Sequence, residues 1–252
     1  MPELPDLKSR LRAFAPRTVR AHRILAGPLR GRTIVTSLHD YPAAILGRTE
    51  QPLLAWFRKN VRPGETWLDV GAHYGYTAIA LAELVGSAGR VYAFEPSLTT
   101  AGYLNRTRAL NGLDQITVVP FGLSSPGDLR VVTSPMERGM ANHSFGGAGS
   151  ETIYLIGFDR IWPSFGRARI NGVKIDVQGM ELAVLEGMAE TLADQSPKIV
   201  VEFHSGVDRD RILRVLKSAG YRQPAMALEP LPAENGAAYN DDRSYAFEPS
   251  LR

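Results

Sequence analysis

The chain reads as an α/β domain built on a mostly parallel, Rossmann-like sheet, and three observations predict it. Short apolar runs alternate with helical runs along most of the length, which demands crossover connections and hence parallel strands. One such run, Trp67-Leu-Asp-Val70, breaks into Gly71-Ala-His-Tyr-Gly75 and then into a helix. The next run, Arg90-Val-Tyr-Ala-Phe94, ends on Glu95. A strand, a glycine turn and a helix, followed about 20 residues on by a carboxylate, are the parts of a nucleoside-binding crossover, in which glycine lets bare backbone approach the ligand.

The elements follow in order. Residues 1–32 carry Lys8, Arg10, Arg12, Arg17, Arg20, Arg23, Arg30 and Arg32 against Glu3 and Asp6, a local charge of +6 in a chain of net charge +3. This segment is read as a basic, helical N-terminal extension ahead of a Rossmann-like domain over 33–252. Such an arm suits an anionic partner or a second copy of the chain, which makes a homo-oligomer one use for it. Thr33 to Leu38 predicts a strand, and Pro52 to Val61 a helix stopped by Arg62-Pro63-Gly64. The first central strand is Thr66 to Val70, the helix after it Gly75 to Val85, and the next strand 90–94. Leu98 to Asn111 is a helix closed by Gly112, and Ile116 to Pro120 the third central strand.

From Asp128 the alternation stops. Leu129 to Thr133 and Thr152 to Ile156 flank a Gly-, Asn-, Ser- and Met-rich stretch, Glu137 to Ser150, which predicts an inserted hairpin with a mobile loop able to act as a lid. His143 lies in it and reads as a solvent-facing loop residue. Gly172 to Val177 and Lys198 to Phe203 resume the sheet, each followed by a helix, Met180 to Leu192 and Asp208 to Ala219. Tyr221 to Leu228 and Tyr245 to Glu248 are expected to supply two closing strands.

Composition bounds the rest. At 252 residues and 44% hydrophobic content, the chain suits one α/β domain with a sizeable core. No window approaches the roughly 20 apolar residues of a membrane span, and the start lacks the layout of a signal peptide, so a cytoplasmic enzyme is expected. The absence of cysteine excludes disulfides, thiolate metal sites and a cysteine nucleophile.

The glycine turn discriminates between cofactors. A dinucleotide's pyrophosphate prefers a glycine-lined helix N-terminus with little negative charge beside it. Here His73 and Tyr74 stand in the turn and Asp69 just before it. A carboxylate in that place repels a diphosphate and suits the cationic amino group of S-adenosylmethionine. The loop therefore favours a methyl donor over NAD.

With these residues together, Leu68-Asp-Val-Gly-Ala-His-Tyr-Gly-Tyr76, Tyr92-Ala-Phe-Glu-Pro96, Asn111-Gly112 and Val173-Lys-Ile-Asp-Val-Gln-Gly-Met-Glu181, the chain resembles the FkbM family of S-adenosylmethionine-dependent methyltransferases over about residues 31–205. The resemblance implies a class I methyltransferase fold, a seven-stranded, mostly parallel sheet with the last strand reversed and helices on both faces. It also implies O-methylation of a hydroxyl on a sugar or natural-product intermediate. His73 stands where the family usually has Asn, and Gln178 where Glu is frequent.

By that resemblance Gly71, Ala72, His73, Tyr74 and Gly75 line the methionine and ribose, Asp69 lies near the amino group, and Glu95 holds the ribose hydroxyls. Pro96 and Ser97 shape the wall beside Glu95, and Phe121 and Gly122 border the adenine. Ligands of open parallel sheets sit outside the carboxyl ends of the strands, which makes Asp176 and His204 the chemical candidates, Asp176 also within reach of the cofactor. Histidine is the usual general base, so His204 is expected to take the acceptor's proton, with Asp176 as its orienter or as the acceptor's anchor. Glu181 becomes a site candidate through the family likeness; by itself it is a carboxylate suited to a helix N-terminus. Glu202 and His204 share a strand face beside Asp176, a mixed ligand set for a divalent cation, but no metal ligand is assigned.

Two other functions compete with small-molecule O-methylation. The basic arm would serve a methyltransferase acting on nucleic acid, yet the chain lacks both the Asn-Pro-Pro-Tyr type of tetrapeptide and aromatic-basic interleaving. A noncatalytic nucleoside-binding module is the other.

Overall fold

The computed structural model describes residues 14–141, 149–166, 168–223, 225, 227–228 and 239–250. In chain order the strands and helices are β1 (Arg20–Arg23), β2 (Thr33–Thr36), α1 (Pro42–Leu46), α2 (Gln51–Asn60), β3 (Thr66–Val70), α3 (Tyr76–Val85), β4 (Arg90–Phe94), α4 (Leu98–Leu110) and β5 (Ile116–Val119). There follow β6 (Gly122–Ser124), β7 (Arg130–Glu137), β8 (Met140–Ala141), β9 (Ser150–Gly157), α5 (Phe158–Ile161), β10 (Gly172–Ile175), α6 (Glu181–Gly187), α7 (Ala189–Gln195), β11 (Lys198–Phe203), α8 (Arg209–Ser218) and β12 (Arg243–Phe247).

The central sheet runs β12-β11-β10-β3-β4-β5, parallel except for β12, which returns antiparallel along β11. Strand order reverses between β3 and β10, so the crevice at their carboxyl ends is where an open α/β sheet receives a ligand. β3 is buried along its whole length, and the two-residue period sends Trp67 into one core layer with Phe57 and Ile79, and Leu68 and Val70 into the other with Val173, Val184 and Ile199. Asp69 shares the face of Trp67 and so enters the interior.

The predicted hairpin is present as β7 and β9, paired antiparallel from Arg130↔Leu155 to Pro135↔Ser150. Its tip continues into β8, and β6 adds a parallel edge to β9, giving a second, four-stranded sheet. Glu151 on β9 ties this sheet to the main one, accepting hydrogen bonds from Ser97 Oγ (2.6 Å) and the Thr99 amide (3.0 Å) at the start of α4. Residues 142–148 of the expected lid, His143 among them, lie outside the described residues.

Three expectations are corrected. The N-terminal extension is not helical where it is described: Arg20–Arg23 form a strand antiparallel to β2, and Ile24 and Leu29 are buried in the core, so residues 20–32 pack as part of the domain. Residues 1–13 lie outside the described part. The helix expected over Met180 to Leu192 is two helices broken at Met188. Gly187 lies so close to the Ser124 carbonyl that no Cβ would fit, and Asp159 caps the start of α7 by accepting hydrogen bonds from the Glu190 and Thr191 amides. Finally, the described residues between Tyr221 and Leu228 make only isolated bridges, Tyr221↔Pro249 and Ala227↔Tyr245, so the central sheet has six strands among the described residues rather than seven. No described helix is long and apolar enough to cross a membrane.

Because Ile24 is 1% exposed in the core, Ile24→Ala is expected to cost about 2–5 kcal/mol in urea unfolding, the usual range for a large-to-small core change. Truncation before Arg20 removes neither β1 nor Ile24 and should leave the midpoint near that of the full chain.

Candidate active site

A cavity of about 400 Å³ opens at the carboxyl ends of the parallel strands. Each strand delivers its next residues to the wall: Gly71, Ala72 and His73 after β3, Glu95 and Pro96 after β4, Phe121 and Gly122 after β5, Asp176 after β10, His204 after β11. Gly71 has φ +79° with the Asp176 carbonyl where a Cβ would stand, so only glycine lets the two strand ends approach there.

Glu95 stands midway. It is 4% exposed, one carboxylate oxygen accepts from the His73 amide (2.9 Å) and the other from the Ser97 amide (3.0 Å), which leaves each oxygen capacity for a further donor. Burial pushes its carboxyl up to about 7, against the opposing pull of those two amides and the Lys174 charge, while Glu151 adds to the rise. Beyond it Pro96, Phe121, Leu123, Ile153 and Leu155 form an apolar slot. His73, half-buried in the cavity wall, is held neutral, desolvation taking it down to about 4; its Nε2 is 3.0 Å from the Arg138 carbonyl, and its ring leans on Tyr41 and Tyr74.

The other end of the cavity is rich in charge. Lys174, in the middle of an apolar strand and 3% exposed, donates to the Gly71 carbonyl (2.8 Å) and pairs with Asp69 (3.2 Å) and Asp176 (3.5 Å). Burial alone would lower its pKa, but Asp69, Asp176 and Glu50 outweigh burial and hold it charged. His204 Nδ1 is 2.7 Å from Glu181, while Nε2 is 3.6 Å from Asp176 and 3.7 Å from Glu202. The Gln178 amide nitrogen is 2.8 Å from that same Nε2. Burial lowers the His204 pKa, and the Glu181 hydrogen bond with the nearby carboxylates more than reverses this. An amide N–H at Nε2 fits the neutral ring and the carboxylates favour the charged one; the two forms differ by a turn of the Gln178 amide. Glu202 is raised by burial and then by Asp176 and Glu50.

Several expected site residues hold the loop rather than line the cavity. Asp69 is fully buried, accepting from Thr77 Oγ1 (2.7 Å) and paired with Lys174, so it cannot meet a ligand's amino group directly. Tyr74 turns its hydroxyl away to donate to Asp40 (3.0 Å), and Gly75 is pressed against Leu104. Ser97 caps α4 through Thr100. Glu181 orients His204 from behind, the place the sequence reading gave to Asp176, which stands instead beside Nε2. Sequence reasoning missed Lys174, although a lysine inside an apolar strand is rarely buried without partners. It also missed Glu50, which lines the cavity from the start of α2 with φ +56° and carries no local motif, and Arg138 and Met140, brought in by the hairpin.

The cavity therefore joins a carboxylate able to accept two hydroxyls, an apolar slot and an anionic end suited to a cationic amino group, and S-adenosylmethionine fits all three. A parallel sheet with one reversed edge strand and such a cavity at its switch point defines a class I methyltransferase. Residues 69–223 match the model of the methyltransferase FkbM domain. The chain is 33% identical over 177 residues to the hexuronic acid methyltransferase AglP of Haloferax volcanii, covering 68% of this chain and 70% of that one. It belongs to the FkbM family of S-adenosylmethionine-dependent methyltransferases. Among solved structures, an FkbM methyltransferase from Methylobacillus flagellatus superposes with TM-score 0.51 at 18% identity over 77% of this chain, which spans 50% of that one. Aeropyrum pernix fibrillarin with natively bound S-adenosyl-L-methionine gives 0.50 at 14% identity over 92% and 88% of the two chains.

Two outcomes are expected. Lys174→Met leaves Asp69 buried without its cation and should cost about 3–5 kcal/mol in urea unfolding, part of it regained when Asp69→Asn is added. A carboxyl raised in the folded state adds stability that is complete at low pH and lost as pH rises through about 7. Between pH 5 and 8 the ligand-free protein should therefore lose more stability than Glu95→Gln does, by roughly 1–3 kcal/mol.

Proposed function

We propose that the protein transfers the methyl group to a hydroxyl oxygen of a small molecule, with a sugar, and a hexuronic acid first, as the acceptor class. The carrying observation is the polar cluster of Asp176, Gln178, Glu202 and His204 at the far end of the cavity whose middle is Glu95. The kinship with a hexuronic acid methyltransferase supports a sugar acceptor. When bound, S-adenosylmethionine supplies a methyl group on a positively charged sulfur.

The chain's own residues supply position and proton handling. Glu95 accepts the ribose hydroxyls on its two remaining acceptor positions, the Gly71-Ala72-His73 backbone borders the methionine, and Phe121 and Gly122 border the adenine. Glu50 and Asp176 give the cationic amino group its counter-charge, and Lys174 keeps the loop against the strand ends. Asp176 Oδ1 and His204 Nε2 face one point and receive the acceptor hydroxyl there. Glu181 fixes the ring so that its neutral form, whose share grows as pH rises because the carboxylates hold the pKa up, takes the proton at Nε2 as the oxygen–carbon bond forms, a transfer that must be aligned in line.

Profiling methyl transfer from labelled donor into sugar, uronic acid, polyketide and nucleic acid pools tests this reading. Label should enter the ether methyl of a small hydroxylated acceptor; label confined to nucleic acid, or to the methyl ester of a carboxylate, would overturn it. His204→Ala is expected to lower single-turnover transfer by about 10²- to 10⁴-fold while leaving donor affinity near wild type. A wild-type rate would remove His204 from the chemistry.

A further inference from the structure

Asp176 Oδ1, Glu202 Oε1 and His204 Nε2 converge on one point, with all three atoms within 4.8 Å of one another and Nε2 at 3.6 and 3.7 Å from the two oxygens. Two ligand atoms about 2.1 Å from one ion lie roughly 3.0 Å apart at an octahedral right angle and ~3.4 Å apart at a tetrahedral angle. The two Nε2 separations exceed these values by about 0.2–0.3 Å for a tetrahedral arrangement and about 0.6–0.7 Å for an octahedral one, so small side-chain rotations close them on a shared cation.

The outward atoms of all three side chains are already held. Asp176 Oδ2 faces Lys174, Glu202 Oε2 accepts from Ser244 (3.2 Å), and His204 Nδ1 is taken by Glu181 (2.7 Å). A carboxylate behind a histidine whose other nitrogen points into a pocket is the arrangement that orients imidazole for a metal. Glu181 is 0% exposed, and its Oε2 has no hydrogen-bond partner, so an uncompensated buried oxygen stands directly behind the ring. The Gln178 amide nitrogen, a positive-ended group, occupies the focus, 2.8 Å from Nε2 and 3.5 Å from Asp176 Oδ1. Lys174, the neighbouring cation, is on the far side of Asp176 and engaged with Asp69 and the Gly71 carbonyl.

The geometry points to a divalent-cation site at Asp176, Glu202 and His204, of mixed oxygen and nitrogen ligands suited to Mn²⁺ or Mg²⁺, that draws a chelating acceptor to the methyl-transfer end of the cavity. The acceptor class is one with two adjacent oxygens, such as a vicinal diol or a hydroxy acid. An anionic acceptor of that kind would be repelled by Glu50, Asp176 and Glu202, and a dication reverses the sign of the local field. The role in acceptor binding rests on the function proposed above, whereas the site itself does not. With the cation bound His204 Nε2 is a ligand, so the base role described above belongs to the cation-free protein, and an acceptor hydroxyl made more acidic beside the cation needs no side-chain base.

The test is Mn²⁺ binding to the EDTA-treated full chain, followed by electron paramagnetic resonance, with Mg²⁺ as competitor and no donor or acceptor present. One Mn²⁺ per chain is expected, weakened at least tenfold in Asp176→Asn and in Glu202→Gln, and strengthened in Gln178→Glu, which adds a carboxylate at the focus. Circular dichroism and a urea-unfolding midpoint near that of the wild type show that each variant is folded. Should either loss variant fail to fold, Mn²⁺ broadening of the His204 ring resonances in the wild-type protein decides the matter. No stoichiometric Mn²⁺, or binding unchanged in folded loss variants, overturns the site. Methyl transfer to a small hydroxyl acceptor that proceeds without any Mn²⁺ binding would sink the site and leave the proposed function standing. Stoichiometric Mn²⁺ in a protein that methylates only nucleic acid would do the reverse.

Discussion

The structure depends on one buried cation. Lys174 is placed by the register of β10 against β3, opposite Asp69, and from there reaches the Gly71 carbonyl, Asp69 and Asp176 at once. These contacts fasten the glycine loop to the end of the neighbouring strand at the point where the sheet's order reverses. A lysine in an apolar interior is costly to desolvate, and it is tolerated here because two carboxylates and a carbonyl surround it. A neutral side chain of similar length would fill the space but would leave Asp69 and Asp176 repelling each other where the cavity wall must be fixed.

From that anchor the cavity divides into ends of opposite character. The hairpin sheet lines the apolar end with Ile153 and Leu155 and is held to α4 through Glu151, so an insertion that looks peripheral in the chain forms part of the cavity wall. The strand termini of β10 and β11 supply the other end, where acidic groups outnumber basic ones and every functional atom has a partner behind it. Such support matters because a group placed even an ångström off its working position loses much of its effect on a reaction.

Much of this was legible in the chain. The five parallel strands were placed to within about two residues, because each is an apolar run bounded by turn residues. Glu95, Gly71 and Asp176 followed from the spacing of strand ends. What failed is equally instructive. Asp69 was aimed at the ligand by its place beside the loop, yet strand alternation turns it inward to Lys174 and Thr77. The arm was judged by its charge, and Arg20–Arg23 became a strand because β2 offered an unpaired edge. Glu50, Met140 and the hairpin residues carry no local signal, since only the tertiary fold brings them to the cavity.

The central claim is that this cavity holds S-adenosylmethionine by Glu95, and calorimetry on the wild type and Glu95→Ala tests it most directly. The account predicts that the wild type binds the methyl donor and not NAD, and that Glu95→Ala weakens binding by about 1.5–3 kcal/mol, the loss of a charged acceptor from its hydroxyl partners. Tight NAD binding, or donor affinity unchanged in a folded Glu95→Ala protein, would contradict it.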